Sequence, residues 1–480
     1  MNRRMVLNTL GKIALANAAL LLLPTIVSAI YMEKCIWAFL ITIGITILLG
    51  LGLTFLSRPG TKIIYAKEGF VIVTYAWLIM AGIGALPFVI SGEIPSYIDA
   101  FFEMVSGFTT TGASILTDVE SMSHGLLFWR SFSHWIGGMG VLVFVMAVVP
   151  NITDRSIHIL RAEMPGPEVG KLRPKARDTA KILYLIYIVL TVIQIILLLA
   201  GGMPLFESIV HTFGTAGTGG FGVKANSIAG YSPYLQWVIA IFMLIFGINF
   251  NLYYLLLVGK IKAVFKSTEL WTYIGIVVVS VGVIVANVFS LYDGFWETLR
   301  MSTFQVSSII STTGFATTDF DLWPGLSKTI LLLLMIIGAC AGSTAGGLKV
   351  SRVVILTKAV FRELKKMLHP RSVRVVKMEG KSVDEQILSS VTTYFAIYMI
   401  CTLCIFLLIS FEPFSIETNL SATLACFNNI GPGLDAVGPT ASYAEYSGFS
   451  KILLSVAMLL GRLEIYPLIL GLNPLAWKKR

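Results

Sequence analysis

Ten apolar runs of roughly bilayer-crossing length dominate this chain, at residues 13–30, 36–56, 70–91, 126–150, 182–202, 235–259, 271–292, 327–348, 387–411 and 451–472. An α-helix needs roughly 20 apolar residues to span the hydrocarbon layer. So many runs in 480 residues leave little room for a soluble domain. Composition agrees: only 13% of residues are charged, about half the usual fraction for a soluble protein. The expected fold is an all-α polytopic membrane protein. Arg3, Arg4 and Lys12 ahead of the first run resemble a signal peptide, but a second run follows at once, so a retained helical hairpin is expected.

After that hairpin the chain repeats itself. Between the third and fourth, fifth and sixth, seventh and eighth, and ninth and tenth runs lies a shorter, half-apolar segment, too short to cross. Each ends in a polar, glycine-bearing loop: Thr109-Thr110-Thr111-Gly112-Ala113-Ser114, then Gly217-Thr218-Gly219-Gly220-Phe221-Gly222, then Ser311-Thr312-Thr313-Gly314-Phe315, then Asn428-Asn429-Ile430-Gly431-Pro432-Gly433. The unit is span, half-helix, loop, span, taken four times. The expected divisions are a hairpin at 1–65 and pore repeats at 66–155, 156–265, 266–380 and 381–480. Non-helical backbone at membrane depth must be buried in protein or line a watery cavity. Four such loops are therefore expected to meet around one pseudo-fourfold pore.

Basic residues set the orientation, because cytoplasmic loops are enriched in Lys and Arg. With both termini inside, 29 of the 36 Lys and Arg residues fall on the cytoplasmic side, ten of them between Lys349 and Lys381. The acidic residues lie mostly on the opposite face, where a negative surface raises local cation concentration. The net charge of +10 thus reflects topology and anionic lipid, and calls for no nucleic acid.

The loop chemistry points to a cation. Its hydration shell must be replaced on leaving water, and rings of backbone carbonyls do this in potassium filters. Aiming successive carbonyls at one axis requires unusual backbone angles, which glycine allows. Gly112, Gly314, Gly431 and either Gly219 or Gly220 fit that need, with Thr110, Thr111, Thr218, Thr312 and Thr313 supplying hydroxyls, and Asn429 and Ile430 in the fourth loop. Each half-helix would point its partially negative C-terminus at the ion.

Together these motifs resemble the Trk/Ktr/HKT superfamily of potassium transporters, and within it the TrkH/TrkG subunits of bacterial Trk systems. The resemblance runs from about residue 66 to the end, and the extra N-terminal hairpin is similar to the TrkH subgroup. It implies a single-file filter binding potassium ions, with no other cofactor, and glycine in all four loops implies potassium preference. The second loop looks more like Ktr subunits. The run Gly338-Ala339-Cys340-Ala341-Gly342-Ser343-Thr344-Ala345-Gly346-Gly347, too glycine-rich for a stable helix, resembles the family's intramembrane gating loop. Arg462, an ionisable residue within the last run, matches an arginine that faces that gate. Lys349 follows the loop directly. The family also implies a homodimer in the bacterial inner membrane, with a cytoplasmic TrkA-like nucleotide-binding ring docked on basic loops.

Other features stay structural. Arg130 and His134, four apart, share a helix face and are expected to pack behind the outer half of the pore. Glu103, Glu207, Glu297 and Glu417 lie at unequal distances from their loop glycines, so no ring of carboxylates is expected. Cys401 and Cys404, a C-x-x-C in an apolar run, read as buried structural cysteines. No nucleotide-binding motif occurs, and the five histidines form no ligand spacing. An enzyme is therefore not expected. The alternative is a transporter coupling potassium to protons or sodium.

Overall fold

Serines set where many of the helices begin. Ser96, Ser232, Ser267, Ser415 and Ser447 each accept a hydrogen bond from a backbone N–H in the first turn they precede, satisfying donors that no carbonyl inside the helix can reach. The computed structural model describes residues 1–57, 66–140, 176–371 and 374–474. The expected boundaries near 65 and 155, residues 141–150 of the fourth apolar run, most of the basic segment 155–181 and the basic C-terminus lie outside the described residues.

The N-terminal hairpin pairs Arg3–Leu20 and its continuation Leu22–Ile30 with Ile36–Leu56. Gly11 and Gly50 let the two backbones touch: a Cβ on Gly11 would lie 2.8 Å from the Gly50 carbonyl oxygen. Small residues of this kind permit close packing where lipid supplies no hydrophobic drive.

Four repeats follow. Spans Lys67–Ser91, Lys181–Ala200, Thr268–Leu291 and Glu385–Ile409 are each apolar and long enough to cross. Short helices Tyr97–Phe108, Leu205–Gly217, Phe295–Ile310 and Ile416–Phe427 come after them, as expected for the half-helices. The third repeat gathers an apolar cluster of its own around Tyr273, Leu331 and Met335. Apolar side chains face outward on the spans, as at Val279 and Leu407, while Thr109, Thr110, Thr111 and Thr312 are fully buried. This polar-inside, apolar-outside arrangement is what lipid imposes. Cys404 also faces outward and Cys401 is half-buried, so the expectation of two buried cysteines is not met.

Two closing spans, the sixth and tenth runs, depart from the sequence expectation of a single straight crossing. The sixth run bends by 90° between Pro233–Phe246 and Phe250–Leu257, and the tenth by 119° between Gly448–Arg462 and Tyr466–Leu472. Asn249 makes the first break tolerable by capping the new helix, its side-chain oxygen accepting from the Asn251 N–H at 2.9 Å. At the second, Glu464 and Ile465 both take positive φ, and Pro467 opens the helix beyond. The eighth run ends as a helix at Ile337, passes through an irregular segment from Gly338 to Lys349, and resumes as Val350–Leu368. The fourth is helical over His124–Gly138, with Gly140 at φ 82°. A cytoplasm-predicted hairpin, Lys377–Met378 paired with Lys381–Ser382, connects the third and fourth repeats.

Candidate functional site

All four short helices end in the same turn. The N–H groups of Thr111, Gly219, Thr313 and Ile430 donate to the carbonyls five residues back, Ser106, Gly214, Ser308 and Ala425, at 2.8–2.9 Å. The residue before each adopts a left-handed conformation: Thr110 at φ 55°, Thr218, Thr312 and Asn429 at 57°. A helix usually puts glycine there. Three β-branched threonines in this region cost about 1–2 kcal/mol each, so the surrounding packing must hold them, and in exchange the site keeps their hydroxyls.

Gly112, Gly220, Gly314 and Gly431 come two residues later, with φ of 81°, 75°, 84° and 96°. Gly220, not Gly219, therefore shares the conformation of the other three, which fixes the register that the sequence leaves open. A Cβ on Gly112 would lie 2.0 Å from the Gly219 oxygen, on Gly220 2.1 Å from Thr313 O, on Gly314 2.0 Å from Ile430 O, and on Gly431 2.7 Å from Thr111 O. Each loop thus presses its glycine against the carbonyl just before the glycine of the next, and the fourth closes on the first. The ring is continuous. Above it, the four glycines and Lys224 and Glu445 line a cavity of about 490 Å³.

Buried polar groups hold the ring from behind. Glu103 and Arg130, almost wholly buried, form an ion pair at 2.7 Å. The Glu103 carboxylate also accepts from Ser114 Oγ at 3.0 Å and the Ile115 N–H at 3.0 Å, just past Gly112. The Arg130 guanidinium sits 4.0 Å above the Phe221 ring, just past Gly220. His134 Nδ1 lies 2.7 Å from Gly107 O, and its ring packs against Gly219. Arg130 and His134 are behind the loops as the sequence predicts, but the partner of Arg130 lies 27 residues away on another helix and was not foreseen. Tyr443 was also missed: its hydroxyl donates to Gly431 O at 2.8 Å and its N–H to Ser114 O at 2.9 Å, joining the fourth loop to the first. Glu207, Glu297 and Glu417 go elsewhere, to Tyr231, Arg300 and Lys328. Asp435, in the loop past Gly431, is held below its usual carboxylate range by hydrogen bonds from the Ser415 and Thr418 hydroxyls.

The segment Gly338 to Gly347 lies against the other end of the ring. The Gly346 N–H donates to Thr312 Oγ1 at 2.7 Å, and a Cβ on Gly346 would lie 2.3 Å from Asn428 O. Cys340 N–H donates to Gly247 O at 3.1 Å, Gly342 O accepts from the Phe250 N–H at 3.0 Å, and Thr344 Oγ1 donates to Phe246 O at 3.2 Å. The break in the sixth run thus cradles the loop. Ala339 O accepts from Val350 N–H at 3.0 Å, closing its base. Arg462 sits at its helix end and donates to Thr344 O at 2.6 Å and to Gly137 O and Gly138 O at 2.5 and 2.6 Å. Glu464, two residues on, binds Arg352. Lys349 is buried with φ 80°, its ammonium on Ala345 O. Arg462, Lys349 and Gly346 line a cavity of only about 40 Å³.

Comparison with known proteins agrees with this geometry. The chain matches the TrkH family, described as cation transport protein, over residues 36–292 and 253–475. It is 36% identical to the Trk system potassium uptake protein TrkH of Salmonella typhimurium, across 100% of both chains. It is 33% identical to TrkG of Escherichia coli K12, across 99% of each. Its fold superimposes on the crystal structure of the potassium transporter TrkH from Vibrio parahaemolyticus with a TM-score of 0.90, at 31% identity and 100% coverage of both chains. A ring of four matched loops, a full-length fold match and full-length identity above 30% lead to one conclusion: the chain belongs to the TrkH family of cation transport proteins.

Proposed function

We propose that this protein takes up potassium across the cytoplasmic membrane through the four-loop ring, and that the intramembrane loop below it is the gate. The observation that carries the reading is the closed circuit of contacts from Gly112 to Gly219, Gly220 to Thr313, Gly314 to Ile430 and Gly431 to Thr111. Backbone packed this tightly holds its carbonyls at fixed spacing, as replacement of a hydration shell requires. The short helices aim their C-termini at the ring, which favours a cation over an anion.

In this reading the residues from Thr110 to Gly112, Thr218 to Gly220, Thr312 to Gly314 and Asn429 to Gly431 form the potassium path. Arg462 and the Gly338 to Gly347 loop close it: a guanidinium under the filter repels a cation and ties the loop to the first repeat. The large cavity faces outside and both termini face the cytoplasm, by the distribution of basic residues. The protein works as a homodimer in the inner membrane, and a TrkA-like ring docks on the basic segment 349–381. Rubidium uptake into proteoliposomes of the purified chain, with potassium or sodium competing and no proton or sodium gradient, tests this. Uptake blocked by potassium and spared by sodium is expected. Uptake only with an imposed proton or sodium gradient would favour the coupled transporter.

A further inference from the structure

Glu269 begins the span Thr268–Leu291, where a glutamate ordinarily faces water or caps its own helix. Here it is only 6% exposed. Its carboxylate oxygen Oε1 accepts from the Ala341 N–H at 2.7 Å and from the Ser351 N–H at 3.1 Å. Those two donors bracket the gate loop: Ala341 lies on its entering arm and Ser351 in the first turn of the helix that leaves it. One carboxylate therefore holds both arms together from outside the pore, beside the closure between Ala339 O and the Val350 N–H.

Glu269 is itself held from the predicted cytoplasmic face. Glu379, at the turn of the hairpin Lys377–Met378 and Lys381–Ser382, lies at φ 52° and points its carboxylate at the start of the same span. It accepts from Ser267 Oγ at 3.2 Å, the Thr268 N–H at 3.1 Å and the Glu269 N–H at 3.4 Å. An acidic group at a helix N-terminus is favourably placed, and this one comes from a segment more than a hundred residues away. Lys358 Nζ, on the helix leaving the gate loop, donates to Lys377 O at 2.9 Å, so the hairpin touches both the exit helix and the helix that carries Glu269.

We propose that Glu269 is a positioning residue of the gate, pinning the two arms of the loop under the filter, and that the Glu379 hairpin sets where Glu269 stands. A displacement of the hairpin would then reach the gate through one helix turn and one carboxylate. This inference rests on the gate reading given above. Charge-assisted hydrogen bonds of this kind are among the stronger ones, so their loss shifts the gate measurably.

The test measures rubidium uptake by the full chain in proteoliposomes, using monodisperse protein only. Glu269→Ala is expected to raise uptake about tenfold, Glu269→Gln, which keeps an acceptor oxygen, to raise it less, and Glu379→Ala to raise it by a smaller factor. If Glu269→Ala is not monodisperse, Glu269→Gln is read in its place. The same substitutions are repeated with residues 341–345 deleted. The deletion alone should raise uptake, and the Glu269 substitution should then add nothing, because it acts only through the loop. An unchanged or lowered uptake in Glu269→Ala, or an effect that persists without the loop, overturns the proposal while the gate reading stands. No rise on deleting the loop overturns the gate reading and this proposal with it.

Discussion

Arg462 donates to the Thr344 carbonyl at 2.6 Å and to the Gly138 carbonyl at 2.6 Å, so one guanidinium joins the irregular Gly338 to Gly347 segment of the third repeat to the helix end of the first. Three backbone acceptors on two elements need the planar fork of arginine. Arg462→Ala is expected to raise rubidium uptake several-fold, and Arg462→Lys to fall between the two, because a single ammonium cannot span both elements. Equal uptake in all three would separate Arg462 from the gate.

Glu103 and Arg130 give a prediction about the filter itself. Removing one partner strands a buried charge, which costs about 3–5 kcal/mol. Glu103→Gln should therefore lower the thermal midpoint of the detergent-solubilised protein and weaken the discrimination between potassium and sodium, since one of the two carboxylate oxygens shared by Arg130, Ser114 and Ile115 becomes a donor amide. Glu103→Leu combined with Arg130→Met should recover more stability than either change alone. Thermal unfolding of the four proteins reads this as a double-mutant cycle.

Acid should loosen the N-terminal hairpin. Glu33 lies in its connecting turn, where burial favours the neutral acid, but the N–H groups of Gly125 and His124 and the His124 side chain outweigh that and hold its carboxyl below the usual value. A depressed folded-state pKa contributes stability above the unfolded value, near 4.3, which is lost as pH falls through the folded one. The thermal midpoint should drop on acidification below about pH 4.3. Glu33→Gln should begin lower and show a shallower drop.

The repeat architecture is legible in the sequence because two signals coincide four times: an apolar run of spanning length, and a glycine loop that cannot continue a helix. What escapes is set by contacts between distant residues. Nothing in Gly247-Ile248-Asn249, inside an unbroken apolar run, announces a 90° bend, because the carbonyls and N–H groups it frees are satisfied by a loop almost a hundred residues later. The register of the second loop was ambiguous for a related reason. Gly219 and Gly220 are chemically identical, and only contact with His134 and Thr313 separates their roles. Glu269 reads as an ordinary first-turn charge until Ala341 and Ser351 are seen to fold onto it. Arg462 and the small-residue segment stand out in the sequence because an intramembrane charge and dense glycine are both costly, and the structure brings the two into contact at Thr344 O.

The central claim is that the four-glycine ring selects potassium, and Gly314→Ser tests it most directly. A Cβ at this position would lie 2.0 Å from Ile430 O and 2.8 Å from the Pro432 side chain, so the third and fourth loops must part to admit it. In rubidium uptake with potassium or sodium competing, the unsubstituted protein should be blocked by potassium and spared by sodium. The variant should be blocked by both. Unaltered selectivity in a variant that still transports would contradict the account, because the filter would then lie elsewhere in the chain.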